Sequence, residues 1–353
     1  MQYQYLQYAM PVLFTLVILE ALYSKYKGLG LYRLNESLVS LACGLFTITF
    51  EVFAKAGMIA LYIAIYQSFA LLHWADNQWQ SWLAALLVYD FIYYWAHRYS
   101  HEINFMWGGH VPHHQSEDYN LAAALRQGAL QDLMHWPLFL PMAIIGFSPE
   151  LFVAQIMISK FTQFPLHTQA IGKLPWVEGI LNTPSAHRVH HGINNGYIDK
   201  NHGGLTMLWD RLFGTYAAEE EEVIYGVRKP YHSYNAFWAH FDWLALLWQD
   251  ARHTRRWRDK LKLWFMPTGW RPEDAQKALP RERVDLDDFV KFDQPMSNQR
   301  RWKALLLFVV LMMLGSCLVF FNVELSWAVK GGIAVMISLG LWGMDVVMRG
   351  RGR

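Results

Sequence analysis

Apolar runs long enough to cross a bilayer recur from one end of this chain to the other, and they restrict what it can fold into. A spanning helix needs about 20 apolar residues, and in hydrocarbon only helices and closed barrels satisfy their own backbone. Residues 6–23 form the first run, followed by a basic loop with Lys25, Lys27 and Arg33. Residues 38–72 are apolar apart from Glu51 and Lys55, enough for one crossing plus a half-helix or for two. Residues 81–96 are a third run, ending at Arg98. Runs 133–145 and 151–164 are shorter and broken by Pro137, Pro141 and Pro149, which suits re-entrant or interfacial segments. Residues 302–321 and 325–348 make a final hairpin. The expected fold is an all-α integral membrane protein, with multiple spanning helices and a cytoplasmic helical cap.

The expected divisions are an N-terminal transmembrane region (1–80), a catalytic region of membrane helices plus cap (81–270), a linker (271–300) and a C-terminal transmembrane hairpin (301–353). Basic residues orient it. Arg300, Arg301 and Lys303 precede the last hairpin and Arg349, Arg351 and Arg353 follow it, so both its ends face the cytoplasm and the turn near Asn322 faces outward. The more polar stretch 168–300 then lies on the cytoplasmic side with Arg98, whereas 76–80 has no Lys or Arg and faces outward. If Lys25 to Arg33 is cytoplasmic too, 38–72 crosses an odd number of times. Within the cap, 236–265 alternates Trp, Leu and Phe with basic residues, the pattern of a helix lying in the headgroup plane.

Composition agrees. Charged residues are 17% of the chain, against about 25% in a soluble domain. The 17 Trp and 18 Tyr suit membrane–water interfaces. A net charge of +2 excludes a strong electrostatic nucleic-acid binder. Cys43 and Cys317 sit in separate apolar runs and make no disulfide framework or metal motif. The opening MQYQYLQ lacks the basic start of a cleavable signal peptide.

The 15 histidines are the anomaly, because histidine is costly in a membrane domain. Eight fall in three boxes: His97 and His101; His110, His113 and His114; His187, His190 and His191. Spacings of three and four residues put the imidazoles of each box on one helical face. In the second box Pro112 should be tolerated only in the first turn of its helix. Eight imidazoles exceed what one tetrahedral zinc uses, so two metal ions fit the count. Imidazole suits zinc, copper, iron and nickel alike, and the ligand type names no metal. His167, between the second and third boxes, is the best ninth ligand.

Asp90, Tyr94, His97 and His101 fall on one helical stripe. Asp90 is therefore a candidate to accept the free N–H of His97 and fix its tautomer. Glu102, next to His101, is a candidate proton relay or ligand to a second metal. Asp118, Asn182, Asn201, His202 and Asp210 are further polar candidates. His73, His135, His232, His240 and His253 stand alone. The apolar wall of Phe91, Tyr94, Trp95, Phe105 and Trp107 could shape an alkyl channel.

The order HxxxH, HxxHH and a late HxxHH on a membrane scaffold resembles the fatty acid hydroxylase/sterol desaturase superfamily, and within it the glyceryl-ether monooxygenase branch. The likeness is carried by DFIYYWAHRYSHEINFMWGGHVPHHQSEDYNLAAALRQ (90–127), LNTPSAHRVHHGINNGYIDKN (181–201) and WDRLFGTY (209–216). It implies a non-haem di-iron centre held by the eight box histidines, with His167 where the family places a further one. Glu102 sits where the branch has a glutamate after the first box. It further implies O₂ as co-substrate, a tetrahydropterin as electron donor, and hydroxylation beside a glyceryl-ether oxygen to give a hemiacetal that collapses. The cell's location would be the plasma membrane in a bacterium and the endoplasmic reticulum in a eukaryote.

Other readings compete. Within the oxygenase class the substrate could be a fatty-acyl chain, a sterol or a carotenoid, and the reaction a hydroxylation or a desaturation. A histidine-lined metal transporter would favour ligands in mid-span, whereas these boxes cluster at helix ends and in the cap. A bis-histidine cytochrome would need isolated histidines on facing helices, not triplets. The chain lacks a GxGxxG motif after a strand and a haem motif, so its electrons must come from a diffusing reductant or an electron-transfer protein.

Overall fold

The computed structural model describes residues 2–350, with side chains from Ala9 onward, and is all-helical; among these residues the only β pairing is isolated bridges. Four helices are long and apolar enough to cross a membrane: α1 (Gln2–Lys27, its apolar part Ala9–Lys27), α2 (Leu34–Phe69), and two near the C-terminus described below. The sequence left 38–72 as one or two crossings. It is one unbroken helix of 36 residues, about 54 Å long at 1.5 Å per residue. That exceeds a hydrocarbon core of about 30 Å. In its most apolar window α2 is 61% buried, against 22% for α1, so α2 is the post around which the rest is packed.

α3 (Trp79–Glu102) ends at an extended Ile103, and α4 (Asn104–His114) starts at once in a new direction. A single turn, α5 (Leu121–Ala124), is capped by Asn120, whose side chain accepts from Ala122 and Ala123. α6 (Gln131–Ile145) and α7 (Pro149–Gln163) form a hairpin of two 15-residue helices, each about 22 Å long and too short to cross. This agrees with the re-entrant or interfacial expectation for that stretch. At its tip Gly146 has φ +103, and a Cβ there would lie 1.8 Å from the Leu72 carbonyl oxygen. Only glycine meets both demands. The C-terminal end of α2 packs with α3, α6 and α7 through Met58, Tyr62, Tyr89, Phe139 and Phe152.

Five short α-helices and long irregular segments follow. α8 (Pro184–His190) and α9 (Leu208–Phe213) flank the loop 191–207. The single amphipathic helix expected over 236–265 is instead two, α10 (Asp242–His253) and α11 (Trp257–Lys262). The break falls where buried Asp250 holds Arg271 at 2.7 Å and Arg281 at 2.6 Å and its carbonyl accepts the Thr254 hydroxyl. Pairing of that carboxylate fixes the chain path more strongly than helix periodicity does. α12 (Glu273–Ala278) precedes the C-terminal hairpin of α13 (Asn298–Phe320) and α14 (Trp327–Arg349), the remaining two candidate spans. The hairpin packs on the N-terminal end of α2 and on Tyr234 to Ala239.

Midway along α2, Glu51 pairs with Lys55; Lys160 of α7 reaches Glu51 at 3.6 Å and Asp132 of α6 at 3.2 Å. Two cations and two anions thus tie three helices together, as charges in apolar surroundings require.

Candidate metal centre

Each box is placed by a local device. His97 and His101 sit in the last turns of α3, one above the other. The second box ends α4, so Pro112 lies in the last turn, not the first as the sequence suggested. The helix stops two residues later, and the Pro112 carbonyl, left over at the helix end, accepts from the fully buried Arg126 at 2.7 Å. The third box is α8, started by Thr183, whose hydroxyl accepts from Ala186, and by Pro184. Close approach of the segment after α5 helps: a Cβ on Gly128 would meet the Gly109 carbonyl oxygen at 1.7 Å.

Nine buried histidines form two groups, His97, His101, His110, His114 and His190 in one, and His113, His167, His187 and His191 in the other. Within each group one ring nitrogen per residue lies within 4.8 Å of the others, an arrangement that could hold a metal ion. All eight box histidines and His167 are present, but the groups cut across the boxes. His113 and His114 are adjacent in sequence and face different groups.

Outward hydrogen bonds fix the tautomers. The Nδ1–H of His97 donates to the His202 carbonyl at 2.9 Å, of His113 to Arg126 at 2.9 Å, of His167 to Gln163 at 3.0 Å, and of His190 to Lys200 at 3.0 Å. A carbonyl can only accept, so these Nδ1 atoms carry the protons. His110 Nδ1 meets Gln131 Oε1 at 2.7 Å in the same way. The Nε2 atoms are then bare acceptors aimed at one another: His97 and His110 at 3.1 Å, His113 and His167 at 3.1 Å. Two lone pairs cannot bond each other, whereas a cation between them would satisfy both. His101, His190 and His191 likewise keep a buried Nε2 without a partner. Burial and neighbouring imidazoles hold the cap histidines His187, His190 and His191 well below the usual histidine range, so they are neutral and able to ligate. The donor set therefore fits two nitrogen-loving metal ions.

The carboxylates singled out from sequence lie elsewhere. Asp90 does not touch His97; it accepts from Leu205 N at 2.9 Å, Thr206 Oγ1 at 2.7 Å and Trp209 Nε1 at 3.1 Å. It is one turn too far down α3 to reach a ring whose Nδ1 already has a carbonyl, and it steadies the loop that supplies that carbonyl. Asp210 does the same, accepting from His202 N, Gly203 N and Thr215 Oγ1. Asn182 donates to Gly203 and Gly204, and Asn201 donates to Ala186. Glu102 belongs to neither group; it pairs with Arg98 at 2.8 Å, a turn back on the solvent side of α3. Asp118 pairs with Arg33 and Lys291. His202 is buried with both ring nitrogens unpartnered, its ring 5.2 Å from that of His101. Sequence reasoning assigned no role to Arg126, Gln131 or Gln163, because their contacts depend on how α4, α6 and α7 meet.

Two cavities reach the histidines from opposite sides. One, of about 580 Å³, is lined by cap residues and touches His101, His114, His190 and His191. The other, of about 220 Å³, lies among α2, α3, α6 and α7 and touches His97, His110, His113, His167 and His187. No histidine lines both, so the two groups form a partition between the cavities. The expected aromatic wall is not where the inner cavity lies. Phe91 packs on Trp209, and Tyr94 and Trp95 on Phe213; only Trp107 of those five lines either cavity, and it faces the cap. The inner cavity is walled by Tyr89, Tyr93, Trp136, Phe139 and Phe152. Tyr89, Tyr93 and His97 share one face of α3, whereas 91, 94 and 95 turn to α9.

Apolar helices long enough to span a membrane, and buried imidazoles grouped for two ions, define a polyhistidine membrane protein. The chain carries a domain of the fatty acid hydroxylase family, matched over residues 82–215. It is 40% identical over 281 residues to an alkylglycerol monooxygenase of Xenopus tropicalis and 38% identical over 281 residues to that of Homo sapiens, in each case covering 79% of this chain and 62% of the relative. The chain thus spans 62% of the length of these relatives. It is also 25% identical over 148 residues to an ornithine lipid hydroxylase of Rhizobium tropici, 41% of this chain and 45% of that one. No solved structure matches the chain.

Proposed function

We propose that this protein is a membrane-bound, non-haem di-iron lipid monooxygenase that cleaves the ether bond of alkylglycerols with a tetrahydropterin as reductant. The observation that carries the reading is the inner cavity, whose wall is largely apolar and aromatic apart from the charge cluster of Glu51, Lys55, Asp132 and Lys160, and which ends on five of the nine imidazoles. Similarity to the alkylglycerol monooxygenases supports the ether substrate. In this reading all nine histidines are ligands, five to one ion and four to the other. Iron bound there would supply the activation of O₂.

The chain's own residues do the rest. Tyr89, Phe139 and Phe152 exclude water and hold an alkyl chain beside the imidazoles. Gln131, Arg126 and Gln163 orient the rings through the Nδ1 bonds described above. Asp90 and Asp210 are positioning residues acting through the loop that holds His97. The reaction inserts one oxygen atom of O₂ into the C–H bond beside the ether oxygen, and the second leaves as water with two electrons and two protons from the reductant. The resulting hemiacetal breaks its C–O bond to give an aldehyde and glycerol. Residues 81–270 form the catalytic region, with α2 and residues 271–283 completing the cavity walls. The cap faces the cytoplasm, consistent with the basic residues flanking the last hairpin.

The test is metal content and turnover of the whole chain in detergent or nanodiscs. About two irons per chain, lost in His190→Ala, with long-chain alkylglycerol converted to aldehyde in the presence of reduced pterin and O₂, is the expected result. Two irons with turnover of a fatty-acyl lipid instead would replace the substrate. A single zinc, or no stoichiometric metal after anaerobic iron loading, would reject the di-iron mechanism.

A further inference from the structure

The partition described above separates two very different rooms. The inner cavity is bounded by membrane helices. The cap cavity mixes apolar walls with charged side chains and reaches solvent past the exposed Gln276, Glu282 and Arg283. Its inner wall is four imidazoles, with Trp107 lying 5.0 Å from the His101 ring and 5.4 Å from His114. Most of its cations are already paired: Arg271 and Arg281 with Asp250, and Lys229 with Asp242. Two are not. Arg228 bonds Asn195 through Nη2 at 2.6 Å but keeps a buried Nε without a partner, and Arg283 makes no ion pair or side-chain hydrogen bond among the described residues. At about 580 Å³ the cavity has the size of a site for a small cofactor.

Resting on the oxygenase reading, we propose that the cap cavity is the docking site of the two-electron reductant, a flat reduced heteroaromatic such as a reduced pterin, seated against Trp107 and held at its polar edge by Arg228 and Arg283. The geometry fits in three respects. An aromatic face is offered beside the imidazoles, unpaired guanidinium donors meet carbonyl or nitrogen acceptors at the ring edge, and the way in is from water. The lipid and the reductant then approach opposite faces of the same metal pair and never compete for space. The reductant loses two electrons and two protons, which with O₂ and the lipid C–H bond give C–OH and water.

Binding decides the matter without turnover. The full chain is loaded with redox-inert zinc in detergent, and the dissociation constant of tetrahydrobiopterin is measured anaerobically by equilibrium dialysis. Arg283→Ala, and Ile198→Trp, which fills the cap cavity from its exposed edge, should each weaken binding at least tenfold with metal content unchanged. Ile156→Trp, on the inner cavity, should leave it within twofold. Unchanged binding in both cap variants, equal weakening by Ile156→Trp, or no binding to the wild type would each overturn the proposal. A separate arm tests the underlying reading. Hydrogen peroxide brings oxygen and both electrons together (C–H plus H₂O₂ gives C–OH plus water), so iron-loaded cap variants should still oxidise the lipid with peroxide. Failure of peroxide in the wild type would count against the lipid oxygenase, whatever the dialysis gives.

Discussion

Gln131 decides which nitrogen of His110 faces the metal group, because its Oε1 occupies the other at 2.7 Å. Removing that acceptor frees the tautomer and lowers ligand basicity. Gln131→Leu should weaken metal binding by about 10–100-fold, read by competition with a chelator, while Gln131→Glu, which still accepts, should retain it. An undiminished affinity in Gln131→Leu would show that ring orientation comes from packing alone. Glu117 offers a second test, in the loop after α4. Burial, reinforced by the charges of Glu36 and Asp118, pushes its carboxyl up to about 7 although Phe292 N donates to it and Arg33 is near. The folded state therefore holds this proton more tightly than the unfolded chain, and stability falls as pH rises from about 4.5 to about 7, then levels. In Glu117→Gln the thermal midpoint, relative to wild type, should rise across that window and stay level above it. A pH-independent difference would mean the group titrates normally.

At the scale of elements, the α6–α7 hairpin hangs on Gly146. Gly146→Ala must take a left-handed backbone with its methyl against the Leu72 carbonyl. A loss of about 1–3 kcal/mol is expected, visible as a lower thermal midpoint in detergent; an unchanged midpoint would show that the tip can shift. The histidine spacing and the long apolar runs were legible in the sequence because each is a local periodicity. What was not legible depends on neighbours far along the chain. Pro112 at the end of α4 is stabilised by Arg126, and the break after α10 by Arg271 and Arg281 on Asp250. Likewise, Asp90 shares the stripe of His97 but lies far enough down α3 to serve the 205–209 loop instead. Stripe geometry tells which residues share a face, not which partner arrives there first.

For the whole molecule, sidedness is the property to measure. Gln276 lies in the cap and Val323 in the turn between α13 and α14, at the opposite end of that hairpin from Arg300 and Arg349. With the chain expressed in a bacterial plasma membrane, Cys317 changed to Ser and Cys43 buried, a maleimide that enters the periplasm but does not cross the inner membrane should label Val323→Cys in whole cells and Gln276→Cys only after permeabilisation. The reverse pattern would place the cap outside and remove the cytoplasmic reductant supply.

The length of α2 has a practical consequence. Its C-terminal half belongs to the bundle with α3, α6 and α7, and its N-terminal half to the core with α13, α14 and residues 234–241. One rod serves as mast and keel together. Trimming away the greasy segments to obtain a soluble catalytic fragment would therefore cut through the support of both, and any preparation of this protein has to carry its lipid-facing helices with it.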